Sequence, residues 1–231
     1  MNTKTLLDNM TQNLFSSPYK EMLQNLYDEQ VACGLIDIEE REMSEGFEYL
    51  NPILTPHQKD LLAHIGTCYQ VMWNYAGEYG LFCGIVNAFE KLFLSNRSNQ
   101  HYHFTSTLWD GLQNVAEANR HQAYHDAASR SYNAFSALED SLDEQGQDHL
   151  VSIELGYDQR VYSASINAYY IGHIAVASIV KRVAPKLHAK AVANVLLLEL
   201  ELGYRGKGIN FLDKLEEGEV QDHEQSEAAG Y

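Results

Sequence analysis

TPHQKDLLAHIGTCYQVMWNYAGEYGLFCGIVNAFEKLF, residues 55–93, is the stretch from which the fold class follows. It opens as a helix should. Thr55 offers a capping hydroxyl, Pro56 suits the first helical position, and Gln58 can reach back to the cap. Apolar residues then recur at Leu62, Ile65, Tyr69, Met72, Ala76, Tyr79 and Cys83. Their alternating three- and four-residue spacing is that of an amphipathic helix, predicted to run to about Phe93.

Working outward, residues 18–33 are predicted as a helix with Met22, Leu23, Leu26 and Val31 on one side and Gly34 at its end. An acidic helix follows from Asp37 to about Tyr49, with Asn51-Pro52 expected to break it. Ser95 to Gln100 reads as a linker. Further helices are expected at 105–118, 121–141, 145–183 and 186–204, with Pro185 separating the last two and Gly203 ending the last. Four prolines in 231 residues leave few interruptions, so the chain is expected to be all-α.

The chain also resembles itself. At an ungapped offset of 88, residues 47–92 align with 135–180. The identities include Phe47/Phe135, Leu50/Leu138, Leu62/Leu150, Ile65/Ile153 and Tyr69/Tyr157. In-phase amphipathic helices would match at such positions without common origin. Asp60/Asp148 and Gly84/Gly172 are matches that periodicity does not require. Two copies of a helical module are therefore expected, each serving as the other's packing partner in a pseudo-symmetric bundle. The expected organisation is an arm (1–16), copy one (17–95), a linker (96–104), copy two (105–183), a C-terminal helix and turn (184–215) and an acidic tail (216–231). Gly84 and Gly172 are expected where long helices approach closely, and the molecule is expected to be a monomer or weak homodimer.

Residues 20–93 resemble a family of short, uncharacterised helical proteins from Gram-positive bacteria and their mobile elements. The resemblance is carried by an L-x-x-L-Y start at Leu23 to Tyr27 and a Leu-Thr-x-x-Gln-Lys helix start at Leu54 to Lys59. An aromatic- and glycine-bearing helix closing on Glu, from Tyr79 to Glu90, completes the pattern. The second copy keeps these motifs poorly. The resemblance implies a helical fold and a mobile-element setting, and no activity.

A formal charge of −16 argues against broad binding to nucleic acid or anionic membranes. It serves solubility, or it presents an acidic surface to a basic partner. The acids are concentrated from Asp28 to Glu48, where Arg41 is the only base. Asp37, Glu39, Glu40, Glu42, Glu45 and Glu48 are the candidate partner-binding residues. Lys181, Arg182, Lys186 and Lys190 bracket Pro185, either as a solvated turn or as a docking place for the acidic tail.

Cys33, Cys68 and Cys83 are odd in number and lack C-x-x-C spacing, which fits reduced thiols in a cytoplasmic protein. Met1 to Phe15 lacks the features of a signal peptide, and the most apolar stretch, Ala168 to Val180, is too short to span a bilayer. His121 and His125 stand at i, i+4 and could share a metal, but no third ligand is evident. No Glu-x-x-His pair, nucleophile elbow or Walker motif occurs, and no cofactor is implied. The tyrosines of the long helices, including Tyr69, Tyr79, Tyr157, Tyr169 and Tyr170, read as core or as the lining of a partner groove. A non-enzymatic binding or regulatory protein is the leading expectation, in its sharpest form an acidic inhibitor of a nucleic-acid enzyme. The alternative is a helical bundle that binds a metal or small molecule through His121 and His125.

Overall fold

The computed structural model describes residues 24–28, 30, 37–93 and 122–204. Of these, 94% are helical and none lies in a strand, so the all-α expectation holds for them. Residues 24–28 form a helical segment. The longer helices among the described residues are α1 (Asp37–Ile53), α2 (Pro56–Phe93), α3 (Gln122–Glu139), α4 (Glu144–Val183) and α5 (Pro185–Leu202). The expected N-terminal arm, the 95–100 linker, the 105–118 helix and the acidic tail lie outside the described residues. No helix among the described residues is long and apolar enough to cross a membrane.

The helix ends follow from local chemistry. Before α2, the Gln58 N–H donates to Thr55 Oγ1 at 3.4 Å and the Thr55 N–H donates to Gln58 Oε1 at 2.8 Å, a reciprocal capping box. Before α4, Asp143 accepts from the Gly146 N–H at 2.9 Å. Pro185 begins α5, and Gly203 ends it at φ 75°, with the Tyr204 N–H on the Glu199 carbonyl at 2.9 Å. Pro52 departs from expectation: it sits inside α1, which continues to Ile53. In the last turn a proline costs one hydrogen bond, to the carbonyl of exposed Glu48, which water can satisfy.

The described chain divides into two compact units, with boundaries inside both long helices. The first contains 24–28, α1, α2 as far as Gly80, α3 and α4 as far as Ala168. Its core brings Leu50, Leu62 and Ile65 together with Leu138, Leu150 and Ile153, all at most 5% exposed. Each such side chain contributes about 1.5–3 kcal/mol relative to exposure. This unit therefore draws on both stretches that the sequence offset relates.

The second unit contains α2 from Leu81, α4 from Tyr169, and α5. Here α2 and α4 touch backbone to backbone. A Cβ on Gly84 would overlap the Tyr169 carbonyl oxygen, and one on Gly172 would stand 2.7 Å from the Leu81 carbonyl oxygen. The expected close approach is thus observed. α5 buries Ala191, Val195 and Leu198 along one stripe. Lys190 Nζ donates to the Leu92 carbonyl at 2.9 Å, and the Tyr170 hydroxyl donates to buried Glu199 at 2.6 Å.

Candidate functional site

The first unit contains a cavity of about 700 Å³. It begins with the register of α1. Met43 and Leu50 are buried and Phe47 is half-buried in the same core. Carried back one turn, that stripe points Glu40 inward. There Glu40 meets Arg160, whose Nε and Nη2 donate to its two carboxylate oxygens at 2.7 and 2.8 Å. The Tyr27 hydroxyl also donates to Glu40 Oε1. Arg160 reaches this place because it follows Ile153 and Tyr157 on the core-facing stripe of α4. Hydrogen bonding to Glu40 raises its guanidinium further above the ordinary arginine range, so Arg160 keeps its positive charge.

The cavity walls are aromatic. Tyr69 and Trp73, one turn apart on α2, line it with Tyr157 of α4 and Tyr27. Tyr69 and Tyr157 stack at 4.8 Å with an interplanar angle of 13°, and Phe47 meets Tyr157 edge-on at 6.2 Å. Gln24 and Gln70 add amides to the lining. Exposed Asp28 also lines it and accepts from the Gln24 amide at 2.8 Å.

Just beyond the lining, the Tyr69 hydroxyl donates to Asp158 Oδ1 at 3.1 Å. Desolvation pushes the Asp158 carboxyl up from its ordinary value, and the Tyr69 hydrogen bond opposes that shift. Glu154 is also raised, first by desolvation and then by Asp158 and Glu139. Desolvation raises Tyr69 and Tyr157, so both phenols act as neutral donors and not as bases. Such a site can stack, hydrogen-bond and attract positive charge.

The anticipated partner-binding acids separate into groups. Glu42, Glu45 and Glu48 are exposed at one-turn spacing on α1, with Arg41 3.9 Å from Glu45. Glu39 is half-buried, and Glu40 belongs to the cavity. Asp37 begins α1, but its side chain lies outside the described residues. Of the basic turn, Lys181, Arg182 and Lys186 are exposed, while Lys190 is half-buried on the Leu92 carbonyl. His125 is half-buried on α3, and His121 lies outside the described residues. Among the described residues no group of three His, Cys, Asp or Glu could hold a metal. Cys68 is buried, with its thiol raised by desolvation, and Cys83 is half-buried.

Two of the features that the sequence reading does not single out stand apart by their chemistry. One is Arg160, which the inward stripe of α4 could have revealed. The other is His173, which is 1% exposed in the second unit, beside the Tyr169 ring at 5.0 Å. Neither of its ring nitrogens has a hydrogen-bond partner among the described residues. Burial, with a smaller contribution from Lys91, lowers its pKa to about 3.

No family model matches the chain, and comparison with curated proteins and with solved structures also returns no match.

Proposed function

We propose that this chain is a binding protein that acts through protein–protein contact, with the outer face of α1 meeting a basic partner. The observation that carries the reading is the ridge Glu42-Glu45-Glu48. Its three carboxylates are exposed, one turn apart, on a helix whose opposite face is anchored by Met43 and Leu50. A fixed helix presents charge at fixed spacing, which favours fast and selective encounter with complementary charge. The mobile-element resemblance makes the basic groove of a nucleic-acid enzyme the sharper form of this partner.

The framework of the proposal is a tandem duplication. In its support, α2 and α4 start 88 residues apart, at Pro56 and Glu144. The paired positions Leu50/Leu138, Leu62/Leu150, Ile65/Ile153 and Ala76/Ala164 are all buried. Some close contacts are reciprocal under the same offset. Tyr69 stacks on its own counterpart Tyr157. Gly84 faces the carbonyl of Tyr169 as Gly172 faces that of Leu81, the pattern of an isologous interface.

The test is affinity capture with the full chain and with a Glu42→Lys/Glu45→Lys/Glu48→Lys variant. The variant should lose its basic partners, and wild-type capture should weaken as salt rises. Capture that ignores both changes contradicts the reading.

A further inference from the structure

We propose that the cavity of the first unit is a binding site for a guanidinium group, carried by an arginine side chain of a peptide or by a small guanidine. The occupant follows from four properties of the walls. Tyr27, Tyr69, Trp73 and Tyr157 offer π-systems, and a delocalised cation is attracted to such faces. The lining carries Asp28 and Glu40 against Arg160, a net charge of −1, with Asp158 on the Tyr69 hydroxyl just beyond it, so a cation is favoured and an anion opposed. Gln24, Gln70 and Asp28 supply several acceptor oxygens, which a planar group with five N–H donors can use and a quaternary ammonium cannot. Glu40 is already engaged by Arg160 and Tyr27, which leaves Asp28 as the carboxylate able to meet an incoming charge. A cavity of about 700 Å³ falls in the range of small-molecule sites and leaves room for the stem that bears the cation.

The ridge residues Glu42, Glu45 and Glu48 do not line this cavity, so the two proposals stand or fall separately.

The test uses the full chain with Trp109→Phe, which leaves Trp73 as the only tryptophan. N-acetyl-arginine amide should change Trp73 fluorescence saturably, and calorimetry should give the same Kd. The neutral isostere N-acetyl-citrulline amide should bind at least about tenfold more weakly. Asp28→Lys, at an exposed position where folding is not at stake, should weaken arginine binding by about tenfold or more. Glu42→Gln/Glu45→Gln/Glu48→Gln should leave it within about twofold at physiological salt. Methylguanidinium binding as tightly as the arginine derivative would identify a small guanidine as the source, and weaker binding would identify a peptide arginine. The proposal is overturned by equal affinity for the citrulline compound, by indifference to Asp28→Lys, or by no Trp73 response up to about 10 mM ligand.

Discussion

A buried imidazole without a hydrogen-bond partner resists taking a proton, because the charge would lose its hydration without compensation. His173 is in that position among the described residues, with its pKa lowered to about 3. In the unfolded chain the same group titrates near 6.5. Between those values the unfolded state binds the proton and the folded state does not. Stability from this residue is therefore full above about pH 6.5 and falls as pH is lowered toward 3. At pH 5 the loss relative to pH 7 is about 2 kcal/mol. His173→Leu should narrow the difference in Tm between pH 7 and pH 5, read by circular dichroism. An unchanged difference would show that His173 is not the cause of acid sensitivity. The histidine itself was visible in the sequence, within the apolar Ala168–Val180 stretch. Its isolation depends on which groups surround it in three dimensions, and no spacing rule reports that.

The amphipathic repeat of α2 was legible from Leu62 to Cys83 because a single face must be buried, and its caps at Thr55 and Pro56 were legible because orphan backbone groups need partners. Pro52 was misread as a breaker, since a proline is tolerated where the helix is already ending. The inward direction of Glu40 was also missed. Charge alone grouped it with the outward acids, while its phase with Met43 and Leu50 assigns it to the cavity. The glycines of α2 and α4 carry the prediction at this scale. Replacing Gly84 by Ala should raise helix propensity by about 1 kcal/mol. The new Cβ would overlap the Tyr169 carbonyl, an overpacking that typically costs about 1–3 kcal/mol and involves backbone that cannot rotate away. Net destabilisation is expected, seen as a lowered Tm in thermal unfolding. A variant as stable as the parent would contradict the observed close approach.

For the molecule as a whole, the all-α class followed from helix periodicity and the scarcity of proline, and the cavity did not follow from anything local. The cavity requires residues from the 24–28 segment, α1, α2 and α4 to meet, separated by up to 137 positions between Gln24 and Val161. The first unit's core mixes residues from before and after the 95–100 segment. A protease site inserted there, once cleaved, should leave the two fragments co-eluting on size exclusion, and separation of the fragments would contradict that shared core. The charge of −16 was legible at once, yet its use as a binding surface depends on position and not on total charge. The most direct measurement therefore compares two charge reversals of equal size. One is Glu42→Lys/Glu45→Lys/Glu48→Lys on the α1 ridge. The other is Asp126→Lys/Asp140→Lys/Asp148→Lys, at exposed acids on α3, α4 and the turn between them. If α1 is the binding face, affinity capture by the first variant loses the basic partners that the second retains. Equal retention, or equal loss, would contradict it.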